Sequence, residues 1–184
     1  MRFTWKEYSA EYQDIIDSWC DELAEHGLGL GYSYQEDYEY YTTEEAETLN
    51  ETYANKVVFE DGVPVGAMAF LIDPGPKYLP VPLVTIHTII TAPEYRNKGY
   101  GAAIIKEAIE HFGDILPAYK GVSCVFDAET EENPAGDNVL KRAGFVFAVS
   151  EKWEEHEGDI NWWICPEDAL EGYKREREYL YKQG

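Results

Sequence analysis

"EYRNKGYGAAII", residues 94–105, is the stretch on which the reading of this chain turns. It follows a β-branched run, "LVTIHTIIT" at 83–91, which reads as a strand. It leads into a helical pattern in which Ile105, Ile109 and Phe112 share one face, with Ile104 and Ala108 beside them. A strand, a glycine-rich turn and a helix in that order suit an anion. Glycines let the backbone curl until several N–H groups point into one concavity, and the new helix adds the positive end of its dipole. Arg96 and Lys98 add formal charge there, in a chain whose net charge is −21.

Two familiar phosphate motifs fail. Walker A needs a Gly-Lys-Ser/Thr end, and Lys98-Gly99-Tyr100 runs in the wrong order. The dinucleotide fingerprint needs a third glycine where Ile104 stands. The pattern Arg/Gln-x-x-Gly-x-Gly/Ala is met by Arg96, Gly99 and Gly101, with Ala102 following. Its natural guest is a pyrophosphate. The same residues also fit an ordinary strand-to-helix turn with solvated basic side chains.

The whole chain narrows the partners. Its 184 residues, 45% of them hydrophobic, suit one folded domain over 1–184 with a substantial core. The 36 acidic against 15 basic residues repel a nucleic-acid backbone over most of the surface, so no nucleic-acid partner is expected. That excess attracts a cationic substrate, or simply keeps the protein soluble. No apolar run approaches a membrane span, and "MRFTWKEYSAEYQ" turns polar too soon for a signal peptide. A soluble, cytoplasmic protein without membrane partners is therefore expected. Cys20, Cys124 and Cys165 lie far apart and the four histidines form no motif, so no metal is expected; Cys124 and Cys165 read as buried thiols.

Along the chain, residues 3–7 read as a strand and 9–27 as a helix, with Ser9 as N-cap and Gly27 as stop. A tyrosine-rich loop precedes a second helix at 42–54, opened by Thr42 or Thr43. Two strands flank Asp61-Gly62, a hairpin signal. The helix after the turn is expected to stop at Gly113. "GVSCVFDAE" reads as a strand, "NPAGDNVLKRAG" as a helix stopped by Gly144, and "FVFAVSEKW" and "DINWWICP" as a last hairpin. A helical tail occupies 166–184. The fold class is α+β, a mixed sheet of about six to seven strands with helices on both faces.

Over residues 56–165 the sequence resembles the GNAT superfamily of acyl-coenzyme A-dependent N-acyltransferases. The resemblance rests on the hairpin "VVFEDGVPVGAMAF", the strand "VTIHTIITAPEYR", the turn "RNKGYGA" and the downstream "ENPAGDNVLKRAGF". In the last segment Asn133 stands eleven residues before Gly144-Phe145, as in the family's Asn…Gly-Phe pattern. The resemblance implies the GNAT fold and acetyl-coenzyme A as cosubstrate. The central strand would part from its parallel neighbour and admit the cofactor. Ile89, Ile90 and Thr91 would offer backbone to the pantetheine arm, and the amides of Asn97, Lys98, Gly99, Tyr100, Gly101 and Ala102 would take the pyrophosphate. Asn133 would contact the arm, and it also suits a helix N-cap.

The implied reaction is direct attack of an amine on the thioester. The amine must first lose a proton, and a backbone N–H would stabilise the oxyanion. His87 is the candidate base. It stands nine residues before Arg96, the spacing of a catalytic histidine in arylalkylamine N-acetyltransferases of the same superfamily. Thr85 stands where that subgroup has a second histidine, and a half-buried strand histidine with a hydrogen-bonded neighbour would look the same in sequence. Leu140 occupies the position where the family often has an acidic tyrosine. Either another tyrosine serves or the thiolate leaves unaided. The expected acceptor is a small-molecule primary amine, cationic or of arylalkyl type. The alternatives are a protein N-terminus or lysine, or a non-catalytic acyl-coenzyme A sensor. Tyr32, Tyr34, Tyr38, Tyr40, Tyr41 and Tyr53, interleaved with Glu36, Asp37 and Glu39, suit an ammonium pocket or a packed helix pair with an acidic face. Trp153, Trp162 and Trp163 read as core or pocket wall. Dimers are common in the family, so a homodimer is compatible with it.

Overall fold

Asp61 and Gly62 take positive φ angles of 50° and 80°, the geometry of a two-residue turn whose twist matches its strands. They join β2 (Thr52–Glu60) to β3 (Val63–Asp73), and β3 pairs onward with β4 (Leu83–Thr91). The computed structural model describes residues 1–25, 52–131, 134–152 and 159–182. Among them β1 (Thr4–Glu7), β5 (Val125–Glu131), β6 (Val146–Lys152) and β7 (Asp159–Cys165) complete a seven-stranded sheet of order β1-β2-β3-β4-β5-β7-β6. The β4–β5 pair is parallel and the rest are antiparallel. A parallel pair needs a crossover, and the glycine turn with its helix provides it.

Helix α1 (Gln13–Glu25) covers one face of β2–β4 through Ile16 and Trp19, which pack on Val57, Phe59, Ala67 and Ile90. Helices α2 (Tyr100–Glu110), α3 (Phe112–Ile115) and α4 (Pro134–Ala143) cover the other face. There Ile104, Ile105, Ala108 and Phe112 join Met68, Phe70, Ile86 and Phe126 in the main core. Helix α5 (Leu170–Tyr181) returns to the α1 side but lies over β5–β7, with Tyr173 fully buried against Val125, Trp162 and Ile164. Trp162 and Trp163 thus belong to opposite faces of β7.

Several expectations change. Ser9 precedes a short 3-10 turn and makes no cap to the backbone; its hydroxyl bonds Glu11 instead. Residues 52–54, the end of the expected second helix, belong to β2, whose Thr52, Tyr53 and Ala54 pair with Ile72, Leu71 and Phe70. A ladder with a long neighbour outweighs weak local helix preference. Gly113 does not stop α2, which ends at Glu110; it lies inside α3. Its missing side chain serves packing, since a Cβ there would lie 2.8 Å from Lys120 Cα. Strand β5 begins at Val125 rather than at Gly121. Cys124 and Cys165 are half-buried free thiols, each pushed up chiefly by desolvation. Gly144, at φ 104°, does end α4. Gly27, Thr42, Thr43, Trp153, Asn133 and the tyrosines and carboxylates at 32–41 lie outside the described residues.

Candidate active site

Strands β4 and β5 run together for three registers only: Leu83 with Val125, Val84 with Phe126 and Thr85 with Asp127. β4 continues to Thr91 along β3, while β5 continues to Glu131 along β7. Beyond Thr85 the β5-facing edge of β4 therefore has no strand beside it among the described residues. The strand also bulges. Ile86 pairs with Phe70 and Thr88 with Ala69, leaving His87 as the extra residue. The bulge reverses the phase of β4. Val84 and Ile86 point into the main core, whereas beyond His87 it is Ile89 that packs there and Ile90 that joins the α1 cluster.

Backbone alternation decides what the open edge offers. The Ala92 N–H donates to the Val65 carbonyl at 3.0 Å, so Ala92 and, two residues earlier, Ile90 turn their polar groups toward β3. Ile89 and Thr91 turn theirs to the open side. The Thr91 carbonyl accepts from Arg96 Nε at 2.9 Å. Of the three residues expected to offer backbone to a ligand, Ile90 is thus committed to the sheet, and its side chain is buried.

The turn follows directly. Asn97 and Gly99 adopt left-handed φ of 58° and 83°, and Gly99 is the N-cap of α2. Glycine takes that conformation without penalty, and asparagine tolerates it. The Ala103 N–H reaches the Gly99 carbonyl at 3.1 Å. The amides of Asn97, Lys98, Gly99, Tyr100, Gly101 and Ala102 make no bond to another backbone group among those of the described residues. A Cβ on Gly101 would lie 3.4 Å from the Thr91 hydroxyl and 3.5 Å from Val139, in ordinary contact with both. Asn97, Lys98 and Gly99 are exposed.

Arg96 does not lend its charge to this concavity as expected. Its guanidinium donates to the Thr91 carbonyl and, at 3.0 Å, to the Trp19 carbonyl of α1, with Glu22 at 3.3 Å. It fastens α1 to the end of β4, and Glu22 offsets its charge. Lys98 is the cation left at the turn. Tyr100 gives its hydroxyl to Glu60, and Arg2 stacks 4.5 Å above its ring; the bond to Glu60 pushes the phenol up. Leu140 is buried in the main core, its carbonyl accepting the Phe145 N–H at 3.0 Å, so α4 brings no titratable group to this position.

On the α1 side, the parting strands carry a group of polar side chains that sequence reasoning left aside. Asp127 is buried, and Tyr173 of α5 donates its hydroxyl to Asp127 Oδ2 at 2.7 Å. Desolvation pushes the Asp127 carboxyl up, against the pull of hydrogen bonds from Thr85 and Tyr173. The Tyr173 phenol is likewise driven well up, first by burial and then by Asp127. Glu129 stands two residues further along β5 on the same face. Burial pushes it up most, His87 pulls it down, and Glu131 and Asp127 push it up again. Solvent nevertheless reaches the Glu129 side chain. The one sequence signal was "VFDAETE", where carboxylates occupy alternate positions of an otherwise apolar strand.

The model of the Acetyltransferase (GNAT) family matches residues 11–145. No curated protein matches the sequence. Among solved structures, the chain is similar to a spermidine N-acetyltransferase from Vibrio cholerae in complex with CoA and spermine. That match has a TM-score of 0.61 and 17% identity over 89% of this chain and 95% of the other. It is similar to an acetyltransferase from Salmonella typhimurium that modifies the N-terminal serine of ribosomal protein L7/L12, with a TM-score of 0.66 and 13% identity over 89% and 94% of the two chains. A third likeness is to yncA of the same organism with its cofactor acetyl-CoA, with a TM-score of 0.55 and 17% identity over 90% and 94%. Among the described residues no helix is long and apolar enough to cross a membrane.

Proposed function

The chain belongs to the GNAT acetyltransferase family, and on that premise we propose that it moves an acetyl group from acetyl-coenzyme A to the primary amine of a small cationic acceptor, with His87 as proton acceptor. The observation that carries this reading is the parting of β4 from β5 after Thr85, with unbonded amides waiting at the far end of the opened edge. These features fit the cosubstrate. The amides from Asn97 to Ala102 would hold a pyrophosphate, helped by the α2 dipole and Lys98. The open edge at Ile89 and Thr91 would hold an extended amide-bearing arm, and the family pattern assigns Asn133 to the same arm. When bound, acetyl-coenzyme A supplies the activated thioester.

The protein's own part is acid–base control and orientation. An alkylammonium cannot attack until it is deprotonated. His87 sits at the bulge where the strands part, and an imidazole ring nitrogen can accept that proton. The Ile89 N–H, on the open edge, is the donor available to the acyl oxygen. With Leu140 where an acid would stand, the thiolate leaves without protonation by α4, which its thiol pKa of about 8.5 permits. The cationic acceptor is supported by the acidic surface and by the spermine-bound structural neighbour.

The test is a calorimetric titration with acetyl-coenzyme A followed by thiol release over a panel of primary amines and N-terminal peptides. Saturable one-site binding and turnover of small amines are expected. No binding up to millimolar ligand would overturn the cradle, and turnover of peptides alone would overturn the acceptor class.

A further inference from the structure

We propose that Glu129 selects for positively charged acceptors: its carboxylate, across the mouth of the β4–β5 gap from His87, binds the ammonium group of the incoming amine. The inference rests on the acetyl transfer proposed above and names the residue that sets its acceptor class.

The placement follows from register. Thr85 and Asp127 form the last pair of the parallel ladder, and His87 and Glu129 are each two residues further on. The bulge keeps His87 on the Thr85 side of the sheet, and β5 alternation keeps Glu129 on the Asp127 side, which is the same face. Two separate clusters cover that face among the described residues. The α1 cluster lies on β2, β3 and the end of β4; the α5 cluster lies on the start of β4, on β5, and on β6 and β7. They share no residue, and the line between them runs over His87 and Glu129.

The surroundings favour a cation. Trp162 is the register partner of Glu129; it is buried, and its indole N–H has no partner among the described residues. The nearest strong cation, Arg177, is already engaged. It stacks 3.6 Å over the Trp162 ring and donates to Glu151 at 2.6 Å. Glu131 adds negative charge on the same strand, and among the described residues one buried Asp127 oxygen, Oδ1, has no hydrogen-bond partner. Asp127 itself is sealed beneath Tyr173, whereas Glu129 and Glu131 are exposed, and of these two Glu129 stands level with His87 beyond the last paired register. An ammonium held there lies next to the imidazole that takes its proton.

The experiment compares wild type with Glu129→Gln in steady-state thiol release at saturating acetyl-coenzyme A. The two acceptors are n-butylamine, cationic near neutral pH, and methoxyamine, neutral there. The variant is expected to raise KM for n-butylamine about tenfold or more, the usual weight of a hydrogen bond to a charged group, and to leave methoxyamine within about twofold. Acetyl-coenzyme A affinity should not change. Equal losses with both amines, or none with either, would overturn the inference while leaving the acetyl transfer standing. Absence of wild-type turnover with both amines would overturn the transfer itself and this inference with it.

Discussion

The two halves of β4 belong to one strand and have opposite duties. Leu83, Val84 and Thr85 are hydrogen-bonded on both sides, by β3 and β5, and the side chains of Leu83 and Val84 vanish into packing. From His87 to Thr91 the strand is, among the described residues, held on one side only, its phase has been reversed by a bulge, and its open edge runs to a turn whose amides make no backbone bond among those residues. A fully paired strand satisfies all its backbone groups internally and has nothing to offer a ligand. A half-paired strand keeps its shape through one neighbour and has a row of donors and acceptors to spare. The paired half is scaffold, and the parted half is the edge on which the proposed cofactor binding rests. The changeover takes place at Ile86 and His87.

Substitutions on either side of that boundary should behave differently. Ile86, buried against Phe70, belongs to the scaffold. Ile86→Ala should lower stability by about 2–5 kcal/mol in chemical denaturation. A loss well under 1 kcal/mol would move the boundary toward Thr85. One residue later, His87→Gln should leave stability and acetyl-coenzyme A affinity nearly unchanged while lowering kcat by about a hundredfold or more, read by thiol release. Retention of full activity would remove His87 from the chemistry and leave the bulge as a purely geometric device.

At the far end of the parted half, Gly99→Val forces a β-branched residue into a left-handed backbone. It should cost about 1–2 kcal/mol of stability and weaken acetyl-coenzyme A binding by about tenfold, as the amides lose their common aim. Undiminished affinity in a titration would mean the cradle does not hold the ligand.

Asp127, at the last paired register, has its carboxyl pushed up by burial, so the folded state prefers it protonated. That preference stabilises the fold fully below the ordinary carboxyl value and is lost as pH rises through the raised one. Asp127→Asn, which keeps an oxygen to accept from Tyr173, removes this dependence. The variant should gain on the wild type as denaturation curves move from about pH 4 to about pH 7. A constant difference would show that the charge is compensated in the fold.

The smallest effect separates the two basic residues of the turn. Lys98→Ala should weaken acetyl-coenzyme A binding about twofold to fivefold at low salt, and by less as salt rises. Arg96→Ala should act mainly on thermal stability, because its guanidinium bonds to the Thr91 and Trp19 carbonyls. Loss of affinity confined to Arg96→Ala would reverse the assignment.

How much of this was readable beforehand depends on the distance over which each feature is built. The glycine turn itself was legible because its parts are consecutive. Glycine positions, a preceding β-branched run and a following helical stripe are all local, and the structure keeps them together. The hairpin at Asp61-Gly62 and the stop at Gly144 were legible for the same reason. His87 could be singled out only by its spacing from Arg96. Glu129, Asp127 and Tyr173 could not be joined to it, since they come from β5 and from a helix more than forty residues on. The tie of Arg96 to α1 was not readable because its carbonyl partner on Trp19 lies 77 residues away in sequence.

The sequence by itself determined a chain that must form a mixed sheet, with a glycine turn able to gather backbone amides at the entry to a helix. Those properties follow from local backbone freedom and hydrophobic period, which each residue carries wherever it is placed. Only the tertiary structure decided where β4 and β5 part, which backbone edge stays open, and that His87 and Glu129 share one face at the mouth of the gap. Register, bulge position and burial are collective. They arise from which strands lie side by side, and no single segment contains that information.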